Sequence, residues 1–365
     1  MIPVVESAVT DASTILPDVS GPGTLREIAE AGYTGAHVAR RHGGGGLNVE
    51  STSLKLEELG LLGTDAGLAF SAVTSMASTG VALSDFGTER QQMQWLPGLV
   101  SGDVIGAHAI TEELVGSDAL NMSTQAVRDG ESWVLTGSKT FVTNGGLADV
   151  YVVYARTSNR ASPLGLSAFL VPADTAGLTP GPPLETMGLE ASPVTTLVLD
   201  GCRLGADALI GRVGGGFLVL DHVMQREIIF SFMFNVGEME RRVQRCVSWA
   251  RDRQQFGQPI SAQQAVSHRL AEMRIQVDTA RMWLIRAAQT VDSGRSATLD
   301  VSIAKVIASR AHQRTAQDAV QVFGGRGYLK SFGLERDVRN SLAGSIYSGT
   351  NEIQLNRIAS VMGLR

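Results

Sequence analysis

Glu227 stands in the run LVLDHVMQREIIFSFMF, where its neighbours one helical turn away are Val223, Met224 and Phe230. A carboxylate on such an apolar surface loses hydration, and desolvation raises its pKa toward the range where a carboxylate takes protons near neutral pH. Glu227 is therefore a candidate general base. Arg226 beside it offers the competing arrangement, a solvated helix edge or an ion pair. A second group of candidates lies in AITEELVGSDAL, residues 109–120, where Thr111 and Ser117 supply hydroxyls and Gly116 lets backbone come close to a ligand. LTGSKTFVTNGG, residues 135–146, follows it and ends in another polar turn. Near the C-terminus, IYSGTNEIQ places Tyr347, Ser348, Gly349 and Thr350 in succession.

Other chemistries lack their residues. No GxGxxG joins a strand to a helix, and neither GxxxxGKS nor GxxxxGKT occurs, so dinucleotide-fold and P-loop enzymes are disfavoured. The six histidines, at positions 37, 42, 108, 222, 268 and 312, form no HExxH and no i, i+4 pair, and no metal site is expected. Cys202 and Cys246 are far apart and read as buried thiols. Gly43 to Gly46 read as a plain mobile turn rather than a phosphate cradle.

The elements that must position these residues come in three blocks. From Thr24 to Gly102 the pattern is helical, as in LKLEELGLLG. Between Gly106 and Gly201 it changes to β-branched and aromatic runs, WVLTGSKTFVT, VYVVYAR, LSAFLVP and TTLVLDG, separated by turns such as Asp129-Gly130. After Gly214 the helical period returns, with an apolar seam at Val266, Leu270, Met273, Val277, Ala280, Leu284 and Ala287 that predicts a bundle core. The domains expected are 1–105 helical, 106–212 β and 213–365 a helical bundle.

The 365 residues carry a net charge of −5, with no basic run interleaved with aromatics, so neither nucleic acid nor a membrane surface is an expected partner. Ala66 to Ser84 is uncharged and about long enough to span a bilayer, but its many hydroxyls predict a buried helix. The opening MIPVVESAVTDAS lacks the basic and apolar regions of a signal peptide, which predicts a cytoplasmic protein.

Five segments in order, ITEELVGSD, TGSKTFVTNGG, RDRQQFGQPI, QVFGGRGY and IYSGTNEIQ, resemble the acyl-CoA dehydrogenase family from about Leu25 to Gly363. The resemblance implies a mainly α fold with a central β domain: an N-terminal helical domain, a middle β-barrel-like domain and a C-terminal four-helix bundle. It also implies FAD. Ile110, Thr111, Gly116, Ser117, Phe141 and Thr143 would lie along the isoalloxazine and pyrophosphate, and Thr350 and Glu352 would close the site. Arg253, Phe256, Gln321 and Gly325 match positions that an adjacent subunit supplies in family tetramers, implying a homodimer or homotetramer.

Family chemistry is the α,β-oxidation of a thioester, in which a carboxylate removes the α-proton while the β-hydrogen leaves as hydride. In most members the base is a glutamate after the tyrosine, where this chain has Ser348. An isovaleryl-type minority places it on the helix before RxxFG, at the position of Glu227. The resemblance thus implies Glu227 as base and Ser117, Met224, Tyr347, Ser348 and Gly349 as substrate pocket, with Ser348 merely leaving space. Two departures stand out: Ile228 replaces the arginine that follows the relocated glutamate, and the N-terminal region is short.

Such chains resemble polyketide-pathway acyl-ACP dehydrogenases that make hydroxymalonyl- or methoxymalonyl-ACP extender units. The expected partners are an acyl thioester on acyl carrier protein or CoA, and an electron acceptor such as electron-transfer flavoprotein. Two alternatives remain: a catalytically silent flavin-binding homologue, or an oxygen-using flavin oxidase or monooxygenase.

Overall fold

A computed structural model describes residues 21–158 and 162–364. The opening segment read for a leader, MIPVVESAVTDAS, lies outside the described residues. The first block consists of α1 (Leu25–Glu30), α2 (Val49–Leu61), α3 (Ala66–Thr74), α4 (Val81–Phe86) and α5 (Glu89–Ser101). Side chains start these helices: Asn48 caps α2, Asp65 accepts from the amides of Gly67 and Leu68, and Thr88 with Gln91 forms a capping box.

The strands follow as β1 (Gly106–Ala109), β2 (Gln125–Asp129), β3 (Ser132–Thr143), β4 (Val150–Arg156), β5 (Leu166–Pro172), β6 (Leu178–Pro180), β7 (Val194–Leu204) and β8 (Leu209–Ile210). They make one sheet in the order β6-β7-β3-β2-β4-β5-β8, with β1 parallel to β4. Side chains alternate between its faces. Tyr151, Val153 and Phe169 enter a core internal to the β domain, whereas Val150, Val152, Tyr154 and Leu170 join the core shared with the helices.

The third block begins with α6 (Gly216–Asp252), whose 37 residues make a rod about 55 Å long at 1.5 Å per residue. A small hairpin, β9 (Gln254–Gln255) and β10 (Gln258–Pro259), leads to α7 (Gln264–Asp292), α8 (Thr298–Phe323), α9 (Leu334–Leu342) and α10 (Asn351–Val361). The predicted seam on α7 is buried from Met273 through Ala287, while Val266 and Leu270, in its first two turns, are partly exposed. This architecture of helical, central β and helical parts is the one expected from the pattern of periods.

The apolar run from Ala66 is α3 and α4 joined by a π-helical turn, Ser75–Gly80, and it is buried inside the fold as expected. Its hydroxyls have a task. Ser75 Oγ accepts from the Gly106 amide at 2.8 Å, and Thr79 Oγ1 donates to the Ala107 carbonyl at 3.1 Å. The Asn144 amide group donates to the carbonyls of Ser71 at 3.0 Å and Gly106 at 3.2 Å. Strand β1 is thus pinned to the helical block at Gly106 and Ala107.

The turn Gly43–Gly46, expected to be mobile, is packed and bonded instead. Gly45 and Gly46 donate to the carbonyls of Gly35 and Val38, and a Cβ on Gly44 would lie 2.1 Å from the Val38 oxygen. Both cysteines are buried and free, and burial pushes the Cys246 thiol up to about 12.

Helix α6 crosses α2 at two facing glycines. A Cβ on Gly237 would stand 2.0 Å from the Glu57 carbonyl oxygen, and one on Gly60 would stand 2.1 Å from that of Phe234. Gly237→Ala should therefore destabilise the fold by about 1–3 kcal/mol, because overpacking outweighs the better helix propensity of alanine. Denaturant unfolding checks this, and an unchanged midpoint would show that the helices can separate freely.

Candidate active site

Helix α6 carries Glu227 into the interior, where only 3% of the residue is exposed. Its surroundings are less apolar than expected. The Ser348 hydroxyl donates to Glu227 Oε1 at 2.6 Å, from a residue 121 positions away in the chain. On the other side, His108 Nε2 lies 3.2 Å from Glu227 Oε2, close enough for charge interaction but not aligned as a hydrogen bond. Arg226 does not pair with Glu227. It turns toward Asp85, 3.8 Å away, and donates to the His222 carbonyl.

The C-terminal segment is held so that Ser348 can reach. Ser348 has φ of 54° and Gly349 of 78°, both left-handed, and for serine that backbone costs about 1–2 kcal/mol. Gln354 fixes the turn by donating from Nε2 to the Ser348 carbonyl at 3.2 Å, while its Oε1 accepts from Ser302 at 2.9 Å. A Cβ on Gly349 would meet that same Gln354 nitrogen at 3.0 Å. Thr350 accepts from the Ile353 amide and caps α10, and Glu352 is exposed in the first turn of that helix. The expectation that Ser348 only leaves space is corrected: it is a hydrogen-bond donor to the buried carboxylate.

Tyr347 forms an aromatic wall, with ring centroids 4.7 Å from Phe70 and 5.2 Å from Phe232. Its hydroxyl accepts from Asn235 at 2.9 Å, and burial raises its pKa well above the usual phenol value. Met224 lies one turn before Glu227 on α6 and is half-buried. Tyr154, fully buried on β4, has a hydroxyl without a hydrogen-bond partner among the described residues; burial first and the Glu227 charge second raise its pKa.

The candidate flavin contacts near β1 are held by a buried ion pair. Lys139 Nζ donates to Glu112 Oε1 at 2.9 Å and to the Ile110 carbonyl at 3.0 Å. Burial would raise the Glu112 carboxyl, but the Lys139 charge and hydrogen bonds from Ser123 and Thr124 hold it at about 2. Burial lowers Lys139 to about 8 despite that partner. Thr111 and Thr143 are partly exposed, Gly116 and Ser117 are exposed, and Phe141 is 66% exposed with φ of 54°.

Arg253 and Gly325 line a separate cleft of about 410 Å³ with Trp249, Gln255, Phe323, Gly324 and Arg326. Phe256 projects from the β9–β10 turn, 93% exposed, and Gln321 is exposed in the last turn of α8. None of the six residues near β1 lines that cleft.

Sequence reading missed His108, Tyr154, Asn235 and the Glu112–Lys139 pair. The available signal for His108 was a polar residue within the small apolar strand GAHA; its direction required the sheet.

A buried carboxylate facing a polar C-terminal turn, between a helical block, a β domain and a helical bundle, defines the acyl-thioester-oxidising flavoprotein class. The sequence matches the acyl-CoA dehydrogenase N-terminal domain over residues 5–103, the middle domain over 107–202 and the C-terminal domain over 214–363. This chain belongs to the acyl-CoA dehydrogenase family and is an oxidoreductase of that type. It is 37% identical to an L-prolyl-peptidyl-carrier-protein dehydrogenase of Pseudomonas fluorescens over 336 residues, 92% of this chain and 88% of that one. Among solved structures it resembles the prolyl acyl carrier protein oxidase AnaB, with TM-score 0.91, 33% identity and coverage of 96% and 92%. It also resembles butyryl-CoA dehydrogenase from Megasphaera elsdenii, with TM-score 0.89, 34% identity and coverage of 93% and 89%.

Ser348 supplies both a donor and a strained backbone, and two substitutions separate them. Ser348→Ala should destabilise the protein by about 1–3 kcal/mol, since a buried charged group loses a donor. Ser348→Gly should lose less, because glycine relieves about 1 kcal/mol of left-handed strain. Urea unfolding of both variants reads the order, and wild-type stability in Ser348→Ala would remove the hydrogen bond from the account.

Proposed function

We propose that this protein oxidises an acyl thioester delivered on a carrier protein, with Glu227 removing the proton from the carbon next to the thioester carbonyl. The Ser348–Glu227 hydrogen bond carries the reading. It ties a buried carboxylate of α6 directly to the hydroxyl of the tyrosine-serine turn. A serine hydroxyl is far too weak a base for this proton, whereas a carboxylate fixed by a donor can accept it. Ser348 orients that carboxylate, and Tyr347, Phe70 and Phe232 wall the turn with aromatic surface that excludes water.

FAD is the cofactor, and the residues present fit it. The cleft at Arg253 offers two guanidinium groups with indole and phenyl walls, and a Cβ on Gly324 or Gly325 would meet nothing within 4 Å. Backbone can therefore approach an anionic pyrophosphate there, and arginine can pair with it. Near β1, a Cβ on Gly116 would meet only the Thr111 methyl, at 3.8 Å. Ile110, Thr111, Gly116, Ser117, Phe141 and Thr143 would hold the ring side, while Arg253, Phe256, Gln321 and Gly325 would hold the adenosine side. When bound, the flavin supplies an acceptor for the substrate's β-hydrogen as hydride. The separation of the two groups on one chain supports a homodimer or homotetramer in which a second copy completes each site. Electron-transfer flavoprotein is the acceptor we infer for the reoxidising step.

Carrier-protein delivery is supported by the relatives named for prolyl-carrier substrates and by Ile228 in place of an arginine after the glutamate. Within that class we extend the proposal to a short oxygenated acyl group, as in a polyketide extender unit.

Anaerobic mixing of the FAD-loaded protein with butyryl-CoA, butyryl-ACP, a prolyl carrier protein and a three-carbon hydroxyacyl-ACP tests these levels together. Flavin bleaching before oxygen is admitted, fastest with a carrier-bound substrate, is the expected result. Faster bleaching by CoA esters would overturn the carrier assignment, and preference for the prolyl group would replace the extender-unit assignment. No bleaching by any thioester would favour a silent homologue, and turnover only with oxygen present would favour an oxidase or monooxygenase.

A further inference from the structure

The donor set around Glu227 is incomplete in a specific way. Oε1 accepts from Ser348, whereas Oε2 is buried without a hydrogen-bond partner among the described residues. His108 Nε2 lies 3.2 Å from it. Gly106 and His108 are the β1 positions on the face toward the helices, opposite Val150 and Val152, and His108 is the one of them with a side chain, while Ala107 and Ala109 point into the β core. The strand itself is fixed by Ser75, Thr79 and Asn144. An imidazole is therefore held against the carboxylate by an anchored backbone.

The ring's other nitrogen decides its form. Nδ1 is buried and has no partner among the described residues. A proton there would be an unsatisfied donor, which is costly, while a bare Nδ1 leaves the proton on Nε2, facing Oε2. Two acceptors facing each other would repel, so the Nε2–H tautomer is also the one that suits an ionised carboxylate.

We propose that His108 is a positioning residue for Glu227, supplying from Nε2 the second donor that, with Ser348, orients the carboxylate for proton removal. The inference rests on the reading of Glu227 as base. The contact is unaligned in the free protein, and hydrogen bonds of this kind commonly tighten only when substrate is bound.

The neighbours leave this role to His108. From β4, Tyr154 faces the same space, but its hydroxyl makes no hydrogen bond to Glu227 or to any other described residue. From the C-terminal segment, Ser348 is committed to Oε1 and the Tyr347 hydroxyl to Asn235. On α6, Arg226 is directed at Asp85. From β3, Lys139 is closed on Glu112, and from α8, Lys305 donates to Asn351.

The test compares His108→Phe, which keeps a ring but no donor, with His108→Gln, which restores a donor near the Nε2 position. The FAD-loaded proteins are mixed anaerobically with whichever thioester of the four-member panel bleaches the wild type fastest, and flavin reduction is followed from pH 5 to 9. Loss of a donor to the anion raises the carboxyl pKa, so the acid limb should move upward by about one to two pH units in His108→Phe. In His108→Gln most of that shift should disappear. An unmoved limb in His108→Phe overturns the proposal, as does an equal shift in both variants, which would mean packing rather than hydrogen bonding. A wild-type profile with no acid limb would overturn the carboxylate-base reading itself, and the proposal with it.

Discussion

A carboxylate taken out of water must find donors or lose its charge, and the arrangement around Glu227 follows from that requirement. Its one aligned hydrogen bond comes from Ser348, so the C-terminal turn must adopt the left-handed backbone that brings the hydroxyl within reach. That backbone is unfavourable by itself. It persists because Gln354 holds the Ser348 carbonyl, Ser302 holds Gln354, and Thr350 starts the next helix immediately afterwards. Strain at the turn and burial of the charge are thus two sides of one construction.

The opposite wall is built by a different device. A short strand of four residues has little hold on a sheet, yet β1 carries His108 to the carboxylate. Hydroxyls from the buried helical run seat it, which explains why that run mixes apolar residues with serine and threonine. Farther along the same chain segment, the Lys139–Glu112 pair fixes Ile110 and Glu112, so the polar loop expected to meet the cofactor starts from rigid ground. Helix α6 links the site to the rest of the fold through its close glycine crossing with α2.

Much of this is legible in the sequence. The change of period from helical to alternating and back located the three parts, because each packs one face and leaves the other wet or covers both. Glu227 was visible as a carboxylate among Val223, Met224 and Phe230. Its partners were not, since Ser348 lies 121 residues away and His108 comes from another strand; only tertiary packing joins them. The sequence also suggested an empty place at Ser348, because a serine where a glutamate is usual looks like a loss. Geometry shows a donor instead. The glycines at 43–46 misled in the opposite direction: glycine permits motion, but here it permits close packing.

The central claim is that the α6 carboxylate takes the substrate proton and the serine only orients it. Replacing Glu227 with glutamine keeps size and polarity while removing the basic oxygen, so the variant should still bind FAD. Stopped-flow measurement of its flavin reduction under anaerobic conditions tests the claim most directly. The account predicts a loss of about 10²- to 10⁴-fold, the usual cost of removing a general base. Reduction at the parental rate in Glu227→Gln would contradict it.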